Sequence, residues 1–437
     1  MAPILARGAR IAPGYLLGRA ALARRGGALV LVDRGGEVRA PLTFSRAQAA
    51  GVEATGFDSV TWRSYGADIP RWVGAEARLL IGGQRTNLLA DTRTVGRTGW
   101  INTGIDSAVG AVGPNGVSDA ATLMTENTAT STHETVTGSV SLTSGLAYTL
   151  SALLLPGTCE NVQLLFRVGG FGNDAWANFV LTGNGSVGTS GPAVTAASVE
   201  KIGNWYRCQI TAPATATTTT SPVAIMMGTS GSNGRGPSFL GTGRTLTLAW
   251  PQLELGSFAS TPILPPTGSP GASTRGTESL TAPLSSLYIA DSGACTVLWR
   301  GAFSATNIGN SQTIAAIHDG TTANRCEIRL TSTGIPEVIR VTAGVVAQTN
   351  FGGAPPTPGA TMRAGFTLDG AGRLAGVVAG YNGGAVAAVV GTATVGLSTF
   401  RHGTSVGNSR ELWGETHTLT VMPPRSDAEM QALVAAL

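Results

Sequence analysis

The chain has 437 residues, enough for two or three domains, and its 61 Gly and 22 Pro with only 12% charged residues point to short strands joined by tight turns rather than to helices. An apolar share of 42% excludes a disordered chain. The net charge of +4, from 29 basic against 25 acidic side chains, is too near balance for a nucleic-acid footprint, so no nucleic-acid partner is expected.

Lys201 is the only lysine, and the arginine, alanine and glycine excess reflects a GC-rich coding sequence. Seven arginines fall in the first forty residues against Asp33 and Glu37, which makes this end either a solvated basic arm or a patch for an acidic partner surface. Residues 15–24 leave room for a short helix. The runs 28–32 and 37–40, across Asp33-Arg34-Gly35-Gly36, read as a hairpin. A lone hairpin is barely stable and needs a neighbour or a partner chain, so residues 1–90 are expected to be an anchoring arm with a linker motif. No apolar stretch approaches the ~20 residues of a membrane span, so no membrane insertion is expected. Arg7, Arg10 and Arg19 interrupt any signal-peptide core, which implies synthesis in a bacterial cytoplasm.

Next comes an ordered set of motifs: Thr43-Phe44-Ser45-Arg46-Ala47, then Ile69-Pro70-Arg71-Trp72, then Ala77-Arg78-Leu79-Leu80-Ile81-Gly82-Gly83-Gln84-Arg85-Thr86-Asn87-Leu88-Leu89. This order resembles a pattern of bacteriophage structural proteins that precedes carbohydrate-binding sandwiches, departing from it where Gly82-Gly83 replace an acidic residue. The resemblance implies a tail-fibre or head-spike protein, including the head spikes of gene transfer agents, and gives Arg85 and Asn87 the role of fixing a junction rather than touching a sugar.

Residues 91–265 read as a first sandwich, with strands at 134–142, 147–155, 162–168, 176–181, 205–211, 223–227 and 245–250. That spacing suits a jelly roll. The pieces Gly203-Asn204-Trp205-Tyr206-Arg207 and Gln252-Leu253-Glu254-Leu255-Gly256-Ser257-Phe258-Ala259 resemble strands of phage domains similar to carbohydrate-binding modules. The Pro-, Gly- and Ser-rich stretch that follows makes 266–279 a linker. Residues 280–437 read as a second sandwich, with strands at 295–303, 312–318, 326–331, 337–342, 361–368, 373–379, 385–390 and 415–421. Ser426-Asp427-Ala428-Glu429 is a capping box for a short C-terminal helix, and the ending from Trp413 onward resembles that of concanavalin-A-like lectin domains. The expected fold class is therefore all-β: an N-terminal anchoring segment, a jelly roll, a concanavalin-A-like sandwich and a short C-terminal helix.

No motif carries catalysis. Gly183-Asn184-Gly185-Ser186-Val187-Gly188 matches a dinucleotide fingerprint without the helix it requires. Gly403-Thr404-Ser405-Val406-Gly407 fits a nucleophile elbow, but strand sequence follows it. Asp174, Asp319, Asp369 and Glu415 stand singly, whereas glycan cleavage needs paired carboxylates. Cys159, Cys208, Cys295 and Cys326 lack metal-site spacing and read as buried thiols, with one disulfide per sandwich as the alternative. No cofactor is expected. A structural calcium is compatible with such folds, but no residue set locates one.

Sugar binding needs an aromatic or apolar face with hydrogen-bonding groups beside it. Candidates are Trp176 with Asn173 and Asp174, the turn carrying His318, Asp319, Asn324 and Arg325, and the loop carrying Arg401, His402, Asn408 and Arg410. A core role for Trp176 and solvated loop tips for the others are the competing readings. The expected function is attachment of a phage-like particle to host capsular or envelope polysaccharide. Particle proteins would be met through the N-terminal arm, and weak sites would be repeated in a homo-oligomer, trimer before pentamer. A capsule-degrading depolymerase and a purely structural decoration protein are the alternatives.

Overall fold

The structure is a computed structural model. It describes residues 20–25, 28–32, 38–57, 61–74, 78–93, 95, 99–118, 120–266, 271–287, 289, 292–306, 308–394 and 396–437, with side chains from residue 42 onward except that of 408. The fold is all-β with antiparallel sheets and a short C-terminal helix. Among the described residues no helix is long and apolar enough to cross a membrane.

The chain forms two compact units, and neither is a single stretch of sequence. One comprises Ala47–Ala67 and Arg85–Arg275, the other Met1–Arg46, Asp68–Gln84 and Gly276–Leu437. The segment 1–90 is thus shared between the units that hold 91–265 and 280–437.

In the Ala47–Ala67/Arg85–Arg275 unit, two six-stranded sheets face each other. The first runs in the order Ile105–Ala111, Ala121–Glu126, Thr245–Leu255, Ala147–Pro156, Trp205–Pro213, Ala196–Ile202. The second runs Ser186–Ser190, Trp176–Val180, Asn161–Phe166, Val223–Met227, Glu134–Thr137, Trp100–Thr103. Alternation fills the space between them: Leu150 and Leu154 from one sheet meet Val162, Leu164, Phe166, Phe179 and Ile225 from the other. Trp250 takes a left-handed backbone (φ 50°) where the register with Ala147–Pro156 slips, and its side chain packs edge-on to Trp62 at 6.1 Å.

The strands that sequence patterning passes over are mostly edges or near-edges. Ser186–Ser190 is exposed or half-buried throughout, and Ile105–Ala111 nearly so. With no apolar face to bury they show no period of two, and only backbone pairing recruits them.

In the other unit, hydrogen bonding links the strands into one continuous belt. One arm runs Val345–Asn350, Pro336–Thr342, Arg325–Leu330, Gln312–His318, Thr399–His402, Ser279–Pro283, Val38–Ser45; Ala28–Val32 and Ala20–Arg25 then lead to Gly414–Met422, Cys295–Phe303, Thr361–Leu368, Arg373–Val378 and Ala387–Val390. The hairpin expected at 28–40 therefore finds its neighbours inside the chain: Ala20 pairs with Val421 and Thr43 with Thr281. Its turn, 33–37, lies outside the described residues. The helix expected at 15–24 is corrected over its described part, since Ala20–Arg25 is a strand paired with Ala28–Val32. Tertiary pairing overrides local propensity there; residues 15–19 lie outside the described residues.

Trp299, Phe303, Ile317, Cys326, Phe366, Phe400 and Leu419 form this unit's core. Asp427–Ala436 is the expected C-terminal helix, with a reciprocal box in which Ser426 Oγ accepts from Glu429 N–H and Glu429 Oε2 accepts from Ser426 N–H at 3.0 Å. Met430 and Val434 seat it on Leu298, Val377 and Met422. All four cysteines are buried and free, so the disulfide alternative is not realised.

Candidate functional site

The outer face of the second sheet in the Ala47–Ala67/Arg85–Arg275 unit carries a cleft. Asn161–Phe166 sends Val162, Leu164 and Phe166 into the core, which turns Gln163 and Leu165 outward; Val223–Met227 likewise turns Ala224 and Met226 outward. These outward positions are buried too. Val136, Leu165, Ala224 and Met226 form a separate apolar cluster against which the half-buried Trp176 packs. The loop 228–238 crosses the same face. Gln163 Nε2 donates to Gly234 O at 2.9 Å, Asn178 Nδ2 donates to Asn233 O at 2.6 Å, and Gly236 N–H donates to Gln163 Oε1 at 2.8 Å. Asn233 Oδ1 in turn accepts from the N–H groups of Thr229 and Ser230 at 3.0 and 2.9 Å, closing the loop on itself.

Beside this loop lies an open cavity of about 440 Å³. Leu165, Met226 and Val168 supply its apolar surface; Thr132, Thr220 and Ser221 add hydroxyls, and Glu134, Arg167 and Arg235 add charge. Arg235 donates to Phe166 O at 3.2 Å, and Glu134 accepts from the Thr132 hydroxyl at 3.3 Å. Burial first, and then the Arg167 guanidinium, hold Arg235 below its ordinary pKa, while Glu134 and Asp174 act the other way. Such a cavity offers an apolar surface for the C–H face of a sugar ring and directed groups for its hydroxyls.

Of the sequence candidates, Trp176 lies on this outer face, paired with Leu165, while Asn173 and Asp174 are exposed in the turn that precedes it. Glu134, Arg167, Arg235, Thr220 and Ser221 escaped sequence reasoning because four separate segments supply them. One signal was present: Leu165 in Asn161–Phe166 and both Ala224 and Met226 in Val223–Met227 are apolar at outward positions, which marks a sheet face that is not simply solvated.

In the other unit, the strand Gln312–His318 pairs with both Arg325–Leu330 and Thr399–His402, so the two candidate loops share one sheet. Alternation then separates their residues. Ile317, Cys326 and Phe400 enter the core, leaving His318, Arg325 and Arg401 on the opposite face. His402 is fully buried on the core side, its Nδ1 2.5 Å from Ile314 O and its Nε2 2.7 Å from Thr416 Oγ1. Asp319 and Asn324 lock their own turn: Asp319 Oδ1 accepts from Thr321 N–H at 2.7 Å, and Asp319 Oδ2 accepts from Asn324 Nδ2 at 2.8 Å. The backbone of Asn408 closes the short 3-10 turn Val406–Asn408.

The arginines of this face surround a buried carboxylate. Glu327 lies 2.8 Å from Arg325 Nε, 3.5 Å from Arg329 NH1 and 3.6 Å from Arg410 NH1, and it accepts the Ser405 hydroxyl. Arg329 is also held by Glu337 at 2.7 Å, and Arg401 donates to Ser405 O at 3.0 Å. Ser405 is thus a structural hydroxyl, and His402 is turned away from it, so no nucleophile elbow forms. The dinucleotide-like run 183–188 is likewise a turn entering the strand Ser186–Ser190. Among the described residues no three His, Cys, Asp or Glu side chains group as a metal site.

Burial holds His402 down at about 4 from an ordinary value of 6.5, and burial with the Arg401 charge does the same to His318, against Glu327 and Asp319. The unfolded chain protonates each histidine near 6.5, the folded chain only near 4. Unfolding therefore takes up protons between these values, and stability falls as pH drops through that window, by about 1.4 kcal/mol per pH unit for a fully buried group, with no contribution above it. Urea midpoints measured from pH 7 to 4 are expected to fall accordingly, and His402→Gln is expected to flatten the slope. An unchanged slope in that variant would sink the assignment.

The phage-like motif residues are scaffold. Arg46, Arg71 and Glu278 meet in one buried cluster. A Cβ on Gly83, the second of the two glycines that stand in place of the pattern's acidic residue, would lie 2.5 Å from the Trp413 ring. Arg85 stacks 4.3 Å above the Phe258 ring and donates to Leu255 O.

These features define an all-β protein of two sheet-built units, one of which bears a cleft on a sheet face. The sequence matches no protein-family model and no curated protein. Among solved structures the chain is similar to the CBM40 of a Ruminococcus gnavus IT-sialidase, at 15% identity over 32% of this chain and 82% of that one, with a TM-score of 0.27. It is also similar to the NanB sialidase of Streptococcus pneumoniae, at 14% identity and a TM-score of 0.28, over 35% of this chain and only 26% of the sialidase. A third is the CBM22 tandem of Paenibacillus barcinonensis Xyn10C, at 11% identity over 80% of this chain and 94% of that one, with a TM-score of 0.23.

Proposed function

We propose that the chain binds host-surface polysaccharide and serves as an attachment protein on the surface of a phage-like particle. The observation that carries the binding reading is the cleft beside Leu165, Val168 and Met226, where an apolar surface, three hydroxyls and three charged groups converge on about 440 Å³ of open space. The particle reading rests on the ordered resemblance from Thr43 to Leu89. The anchoring role is proposed for the N-terminal segment, residues 1–90. Several copies in one symmetric spike would turn shallow sites into avid attachment. Among the described residues lining the cleft Glu134 is the one carboxylate, which favours binding over hydrolysis by a carboxylate pair.

Purified protein is to be incubated with encapsulated and capsule-free host cells while the polysaccharide is checked for shortening. Capsule-dependent binding without shortening is the expected result. Ser221→Trp, which places a bulky ring at the half-buried rim, is expected to weaken that binding at least tenfold with an unchanged melting temperature. Shortening would make the protein a depolymerase, and capsule-independent behaviour would leave the structural-decoration reading.

A further inference from the structure

Three charged side chains line the cleft, yet no ion pair joins them. Among the described residues neither Arg167 nor Arg235 has a carboxylate oxygen within 4 Å, although Glu134 lines the same cavity. Two other arginines of this unit are matched by carboxylates: Arg244 sits 2.5 Å from Glu126, and Arg93 sits 3.3 Å from Glu53.

The two guanidiniums reach the cavity from different supports. Arg167 follows the strand Asn161–Phe166 directly, its backbone N–H held by Pro222 O at 2.7 Å. Arg235 belongs to the crossing loop and is tethered to Phe166 O, the carbonyl just before Arg167. They are near enough for the charge on Arg167 to disfavour that on Arg235. Two like charges facing one open space are relieved by an anion placed between them. Two guanidiniums and one carboxylate line the cavity, and Asp174 also acts on Arg235 from beside it, so the local excess of positive charge is small and suits a singly charged carboxylate better than the nearly doubled charge of a phosphate monoester. Charge-assisted, fork-like bonding is the strongest contact an arginine offers to a planar carboxylate.

We infer that the cleft takes an acidic sugar residue, its carboxylate held between Arg167 and Arg235, its ring face on Leu165, Val168 and Met226, and its hydroxyls on Thr220 and Ser221. This rests on the glycan-binding reading of the same cleft.

The test is calorimetric titration of the full chain with oligosaccharides of galacturonate, mannuronate and glucuronate and with sialyllactose, each against its carboxyl-reduced counterpart. The acidic form is expected to bind at least tenfold more tightly in at least one pair, with the advantage shrinking as salt rises from 50 to 500 mM, as screening requires. Arg167→Gln, which breaks no side-chain hydrogen bond among the described residues, is expected to erase that preference while leaving the reduced form within about twofold. Arg235→Lys is expected to retain part of it. Equal binding of acidic and reduced forms overturns the inference and leaves glycan binding standing. Binding of neither overturns both. A preference that survives Arg167→Gln in a variant with wild-type circular dichroism places the carboxylate elsewhere and overturns the assignment.

Discussion

Replacing Glu278 with alanine is expected to cost the folded chain about 3–5 kcal/mol, the range for breaking a buried ion pair from one side. Glu278 and Arg46 are fully buried and Arg71 nearly so. Arg46 NH1 lies 2.6 Å from Glu278 Oε1, Arg71 Nε donates to the same oxygen at 2.7 Å, and Arg71 NH2 takes Oε2. Burial holds the Arg46 pKa down, Glu278 lifts it and Arg71 lowers it again, so this carboxylate offsets two cations that also repel each other. Its removal leaves two guanidiniums out of water at the meeting point of three segments: the end of Met1–Arg46, the start of Asp68–Gln84 and the start of Gly276–Leu437. Glu278→Gln keeps an acceptor and loses the charge, and should fall between wild type and alanine. Urea unfolding measures all three proteins, and a loss under about 1 kcal/mol for the alanine variant, the scale of an exposed pair, would refute the account.

Asn87→Ala is the second large effect, expected at about 2–4 kcal/mol because several buried backbone groups lose their partner at once. Asn87 is 1% exposed. Its Nδ2 donates toward Pro251 O at 3.2 Å, Thr92 Oγ1 at 3.3 Å and Ile263 O at 3.4 Å, and its Oδ1 accepts from Leu253 N–H at 3.1 Å and Leu89 N–H at 3.2 Å. One amide thus ties together three separate stretches of the unit. Asn87→Asp sharpens the test. It keeps the acceptor but turns a carboxylate oxygen toward two carbonyls, so it should destabilise at least as much as alanine. An aspartate variant as stable as wild type in thermal melting would show that the donor side of this network carries no weight.

Asn87, and the two arginines that Glu278 holds, stood out in the sequence; Glu278 did not. Asn87 and Arg85 were expected to fix a junction rather than touch a sugar; the contacts described for them lie inside one unit, Asn87 on Leu253 and Pro251 and Arg85 on Phe258. Arg46 and Arg71 stood out only as letters in an ordered pattern. Their shared carboxylate, more than two hundred residues away, could not be paired with them without the fold. The loop candidates are divided between two faces because side-chain direction depends on strand register. Neighbouring Arg401 and His402 point to opposite faces of one sheet, and that alternation sends His402 to Thr416 and leaves Arg401 beside Ser405.

The amino-acid sequence by itself determined the class of structure: turn-forming residues at short intervals, alternating or doubly apolar runs of strand length, and a capping box that starts the last helix. These signals are local, and each is satisfied within a strand, a turn or a helix terminus. The tertiary structure alone decided what the chain presents to a ligand. The cleft needs Glu134, Arg167, Ser221 and Arg235 from four segments, and it exists because Asn161–Phe166 pairs with Val223–Met227, which in turn pairs with Glu134–Thr137. Sheet order is set by hydrogen bonds between distant backbones and by the burial of two facing sheets, and neither leaves a mark on any short stretch of sequence.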